Sequence, residues 1–150
     1  MTEDTIWIAS DHGGYEAKCA VIERLKERGS AYHDAGCSST AICRYPHYAS
    51  AVASAVSTGQ ARRGILICST GIGMSIFANK YPCVRAALCT SGTMAKMTRK
   101  HNDSNILCLG GKITGLFALL DIVEIWLDTE FEGGRHCISL DMIGEAEQAM

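Results

Sequence analysis

The sequence predicts an α/β fold in which an open, five-stranded parallel sheet is covered by helices on both faces. Short apolar runs alternate with helical patterns along the whole chain, which is the order of elements such a fold requires. The runs carry no polar face, as strands buried between two helical layers must not. The chain has 150 residues, a length that suits one domain spanning residues 1–150 and can bury a real core.

TIWIAS (5–10) reads as the first buried strand, followed by glycines and the helical pattern YEAKCAVIERLKER, which Gly29 stops. AYHDAG is a weaker strand that gives way to the polar stretch CSSTAICR. Pro46 stands near the start of a small-residue helix, PHYASAVASAVSTG, with Gly59 as its stop. GILIC (64–68) is the clearest strand, and beyond its glycine loop MSIFANK is helical until Pro82. RAALC (85–89), a helical TMAKMTRKH and the strand NILCLG (105–110) complete the middle. An amphipathic helix runs from beyond Gly115 to about Asp128, and the loop EFEGGRH leads to a short C-terminal helix.

Composition narrows the function classes. Apolar residues make up 47% and charged residues 20%, and the formal net charge is −2, so there is no basic footprint for nucleic acid and no polybasic patch for a membrane. The opening MTEDTIW is acidic ahead of the first apolar run, unlike a secretory signal, and Asp121 and Glu124 interrupt the longest apolar stretch. A cytoplasmic protein is expected. The eight cysteines contain no CxxC pair of the kind that marks zinc sites. About six or seven of them are expected to be small core residues in a reducing compartment.

In parallel sheets ligands bind outside the carboxyl ends of the strands, and two strand ends here carry reactive side chains followed by glycine: Ser10-Asp11-His12-Gly13 and Cys68-Ser69-Thr70-Gly71. The loop STGIGMSIFANK is neither a Walker loop nor a dinucleotide fingerprint, since it does not supply GxxxxGK(S/T) and lacks the third glycine of GxGxxG. Glycines at a strand-to-helix turn still expose N–H groups that hold a phosphate or an oxygen gaining charge. Cys68 beside them is either the last core residue of its strand or a base or nucleophile. Asp11 is either a helix cap or a ligand to a polar substrate. His101-Asn102-Asp103 reads singly as a helix end with a cation near the dipole. His33 and His47 have no evident partners, and Arg135, after Gly133-Gly134, is a surface arginine that can grip a planar anion.

The motifs SDHGG, RYPHYA, GILICSTGIGMSIFANK, VRAALC, RKHNDSNILCLG and TEFEGGRH follow one another over residues 5–143. In that combination the chain resembles the type B ribose-5-phosphate isomerase family, which includes the galactose-6-phosphate isomerase subunits. The resemblance implies a Rossmann-like three-layer α/β/α sandwich and a homodimer, or a tetramer of dimers, with active sites at the dimer interface. It also implies a phosphorylated monosaccharide as substrate, a place in the pentose phosphate pathway, and no metal or organic cofactor. Cys68 would be the base that moves a proton between C1 and C2 of the open-chain sugar. The backbone of Ser69, Gly71, Ile72 and Gly73, assisted by Thr70, would hold the cis-enediolate oxygen. His101 of the partner subunit would open the furanose with help from Asp11. His12, Tyr45, Asn102, Lys112 and Arg135 would contact substrate, His12 and Arg135 at its phosphate.

The chain departs from the family pattern at its phosphate end. Lys112 and Ser139 stand where many members have arginine, Arg44 replaces an aspartate before the Tyr-Pro pair, and Thr93-Met94 replaces an aromatic and a small hydroxyl residue. The main expectation is interconversion of ribose 5-phosphate and ribulose 5-phosphate. The alternatives are isomerisation of a tetrose, allose or galactose phosphate, or a non-catalytic sugar-phosphate-binding subunit. Among the thiols, Cys68 is expected to be accessible and the first to oxidise.

Overall fold

Three strands are central because they are apolar almost throughout: β1 (Ile6–Ser10), β3 (Gly64–Cys68) and β5 (Ile106–Gly110) are buried at every residue. The shorter β2 (Tyr32–Asp34) and β4 (Ala86–Leu88) are only half-covered and take the two edges. All four pairings are parallel, in the order β2-β1-β3-β5-β4. This is a computed structural model that describes residues 1–2 and 4–150.

Side chains alternate across each strand and divide the core into two. Ile6, Ile8, Ile65, Ile67, Leu107 and Leu109 pack with α1 (Tyr15–Glu27) and α5 (Leu116–Asp128). Trp7, Ala9, Leu66, Cys68 and Cys108 pack with α2 (Tyr45–Ser57) and α3 (Ile72–Ala78). Each large aliphatic side chain buried this way contributes about 1.5–3 kcal/mol. The helix α4 (Gly92–Asn102) lies against α5, and α6 (His136–Gln148) packs beside α4 without burying one residue fully. No described helix is long and apolar enough to cross a membrane.

The expected α/β architecture is observed, with shifts at the element ends. The helix after the glycine loop begins at Ile72 rather than Met74, because Gly71 takes φ +79° and turns the chain at once. The C-terminal helix is not short but has 13 residues, starting at His136. The expectation that six or seven cysteines pack in the core is corrected: Cys37, Cys68, Cys89 and Cys108 are buried, Cys43 is half-buried, and Cys19, Cys83 and Cys137 are exposed. Cys19 sits on the outer side of α1, Cys83 in the turn before β4, and Cys137 on the uncovered α6. Burial pushes the Cys89 thiol up to about 11 and the Cys108 thiol well above its ordinary value.

The chain leaves β1 toward β2 on one side and returns to β3 on the other. That reversal opens a crevice at the carboxyl ends of β1 and β3, the place where open α/β sheets bind ligands.

Candidate active site

Two loops fill the crevice. After β1, Asp11 is buried, 6% exposed, and its Oδ1 accepts from the N–H groups of Gly13 (2.9 Å) and Gly14 (3.2 Å). The capping reading of Asp11 is therefore observed, and because one oxygen does the capping, Oδ2 is left for a ligand. His12 Nδ1 accepts from the Cys43 N–H at 3.2 Å, so in the neutral ring the proton sits on Nε2. That bond also ties the loop preceding α2 to the end of β1.

After β3, the Gly71 N–H donates to Cys68 Sγ at 3.1 Å and the Ile72 N–H donates to Thr70 Oγ1 at 3.2 Å. The two loops touch so closely that a Cβ on Gly13 would lie 2.1 Å from Ser69 Oγ. On the other side, a Cβ on Gly73 would lie 2.8 Å from the Tyr45 ring, so glycine there lets the aromatic ring cover the loop. From β5, the N–H groups of Gly111 and Lys112 donate to the carbonyls of Cys68 (2.8 Å) and Ser69 (3.0 Å). Asp11, His12, Tyr45, Cys68 to Gly73 and Lys112 thus share one crevice. The expectation that Cys68 is accessible is corrected: it is 5% exposed, because it faces the layer of Met74 and Ala78 beneath its own loop.

His101, Asn102 and Arg135 do not join this group within the chain. A helix following a parallel strand runs back along it, so α4 ends at the amino edge of the sheet. There Arg85, which precedes β4, donates from Nε to Asn102 O at 3.0 Å. Cys68 pairs with Gly110, the last residue of β5, roughly 13 Å along the strand from that edge at about 3.3 Å per residue. The amino edge gathers its own cluster. The His101 and His136 rings stack with centroids 4.4 Å apart, and His136 Nε2 is 3.7 Å from Glu132 Oε1. Arg135 is exposed at the start of α6, after Gly133 and Gly134 at positive φ. Ser139 lies four residues on, on the same helix face.

His33 and His47 do have neighbours, Trp7 at 4.2 Å and Tyr48 at 5.0 Å between ring centroids, and both read as packing. Sequence reasoning missed Lys18. It is 1% exposed, and its Nζ donates to Asp34 Oδ1 (2.5 Å) and Cys37 O (2.6 Å), fixing the start of the loop that carries Cys43 and leads to Tyr45 at the head of α2. Its signal was its place on the apolar stripe of α1, with Ala17, Val21, Ile22 and Leu25.

Residues 6–143 match the model of the ribose/galactose isomerase family. Ribose-5-phosphate isomerase B of Escherichia coli is 44% identical over 138 residues, covering 92% of this chain and 93% of the relative. The structure of Clostridium thermocellum ribose-5-phosphate isomerase B superposes with a TM-score of 0.95 at 49% identity, covering 97% of this chain and 98% of that one. A D-erythrulose-4-phosphate isomerase of Pectobacterium atrosepticum is 35% identical, with 95% of both chains covered.

Proposed function

The chain belongs to the ribose/galactose isomerase family and is a sugar-phosphate isomerase, and we propose that the reaction it catalyses is the interconversion of D-ribose 5-phosphate and D-ribulose 5-phosphate. The observation that carries the chemistry is the Cys68 sulfur, which accepts the Gly71 N–H at the strand end in a loop packed against the one that carries Asp11 and His12. Aldose–ketose isomerisation needs a base that takes the C2 proton and returns it to C1, together with donors for the oxygen that gains charge between those steps. Cys68 as thiolate takes that proton, and the cis-enediolate oxygen lies against the backbone N–H groups of the Ser69–Gly73 loop with Thr70. Asp11 Oδ2 and Tyr45 bind sugar hydroxyls, and His12 presents Nε2–H to the phosphate.

Ring opening needs an acid that protonates the ring oxygen of the sugar. His101 of the partner subunit fills that role in a homodimer whose two sites are each built from both chains. Asn102 and Arg135 of the partner subunit accompany it, Arg135 at the phosphate. The placement of Cys68 and His101 at opposite edges of one sheet supports this reading, since only a second copy can bring the edges together.

A tetrose 4-phosphate is the second reading. Ser139 removes a guanidinium fork one helical turn from Arg135, and the relative from Pectobacterium acts on such a sugar by its name. A coupled assay with ribose 5-phosphate, erythrulose 4-phosphate, allose 6-phosphate and galactose 6-phosphate separates the readings. A kcat/KM for ribose 5-phosphate well above the rest supports the first; preference for the tetrose overturns it. No turnover of any of them would leave only a binding subunit.

A further inference from the structure

The cluster at the amino edge of the sheet has a composition that its part in the isomerisation does not require. His101, Glu132 and His136 each offer one ligand atom, and these atoms all lie within 4.8 Å of one another. Two imidazoles and one carboxylate are a ligand set that zinc takes with a fourth position left open. Bonds of about 2.0–2.1 Å in a tetrahedron put ligand atoms roughly 3.4 Å apart, and the Glu132 Oε1 to His136 Nε2 distance is already 3.7 Å.

The backbone holds the three residues together without an ion. The Glu132 N–H donates to Lys100 O at 3.2 Å, which pins the loop to the last turn of α4 beside His101. His136 opens α6 directly after the double-glycine turn. What must move is small. The His101 and His136 rings, now stacked at 22°, have to open so that their lone pairs converge. The Glu132 carboxylate is half-exposed and free to follow, and Lys100 Nζ, 3.9 Å from its Oε2, can swing into solvent.

We propose that His101, Glu132 and His136 form an inhibitory site for zinc-type divalent cations. The ion takes the lone pair of the His101 imidazole and so withdraws that ring from proton transfer to the substrate. Binding rests on the cluster alone; the loss of turnover rests on the ring-opening role given to His101 above.

Titration of the reduced full-length protein with Co2+ tests the site, with visible ligand-field absorption as the readout. Tetrahedral bands without sulfur-to-cobalt charge transfer are expected, which separates this site from the exposed Cys19, Cys83 and Cys137. Zn2+ is expected to displace Co2+ and to abolish turnover, with EDTA restoring it. Glu132→Gln and His136→Ala should each weaken Co2+ binding at least tenfold. Charge-transfer absorption, equal affinity in both variants, or no bands at an excess of Co2+ would overturn the site. Binding at the cluster with turnover unchanged would overturn the inhibition and the role of His101, and leave the ion's address standing. If ribose 5-phosphate proves not to be the substrate, the cobalt spectra still decide whether the site exists.

Discussion

The backbone N–H of Gly71 donates to the sulfur of Cys68 at 3.1 Å, and Gly71 adopts φ +79° to aim it. The bond fixes the sulfur relative to the loop amides, so the base and the oxyanion donors proposed above are held by one turn of backbone. A Cβ at this glycine would lie 2.6 Å from Leu88 Cδ1 and 2.8 Å from the Leu109 carbonyl carbon, and the left-handed conformation is itself costly for any other residue.

Gly71→Ala is therefore expected to reduce both stability and rate. The backbone conformation alone costs about 1–3 kcal/mol, and kcat should fall more than KM rises because the donors are proposed to act on the intermediate. Urea denaturation and steady-state kinetics read the two effects. A variant with native kcat would show that the loop geometry is not used in the reaction.

Complementation tests whether the site is built from two chains. Cys68→Ala and His101→Ala are each expected to lower kcat by roughly 10²–10⁴-fold, the usual contribution of a positioned acid or base. Unfolding a mixture of the two and refolding it together should restore about a quarter of native activity. In a C2 dimer half the molecules would be mixed, and one of the two sites in each would carry neither change. Refolded mixtures no more active than their parents would place both groups in the same chain's site, or show that one of them is not needed.

Alkaline pH should unfold the protein through its buried thiols. Burial raises the folded Cys89 value to about 11, while an unfolded thiol titrates near 8.5. In that window the native state holds a proton the unfolded state has lost, so the stabilisation is full below about pH 8.5 and lost as pH rises toward the folded value. The loss from Cys89 is about 3 kcal/mol, and Cys108 adds to it in the same direction. Urea midpoints from pH 8 to pH 11 should fall accordingly, with a flatter profile for Cys89→Ala. An equal slope in that variant would move the effect to other groups.

At low pH the Arg28–Asp128 pair acts in the opposite sense. Arg28 Nη2 lies 2.5 Å from Asp128 Oδ1, and its hydrogen bond and charge hold the Asp128 carboxyl below the usual carboxylate range. That stabilisation is present above the unfolded value near 3.9 and is lost as pH falls through the depressed folded one. Asp128 is largely exposed, so the pair is worth at most about 1 kcal/mol. Asp128→Asn should remove that much at pH 7 and nothing once the pH is below the depressed folded value, as measured by thermal unfolding.

The strands and the reactive strand ends were legible because they depend on local pattern. GILIC is apolar over a short span between a glycine and a glycine loop, and that alone makes it a central strand with Cys68 at its exit. Cys19 and Lys18 show where local pattern fails. They are neighbours in one helix, and the sequence favours the cysteine for burial, yet Cys19 is exposed and Lys18 is buried on Asp34 and the Cys37 carbonyl. Which side of α1 faces the sheet fixes the stripe, but only the arriving β2 loop supplies the acceptors that make a buried ammonium tolerable.

Burial pattern and glycine placement act over a few residues, and they dictate the parallel α/β sheet, the crevice loops, Cys68 at the end of β3 and Asp11 and His12 just past β1. Only the tertiary structure decided that Cys68 lies buried under its own loop, and that His101 sits with Glu132 and His136 at the far edge of the sheet. Those facts follow from strand order and from helices running back along their strands. These are relations between segments distant in sequence, which no local pattern encodes.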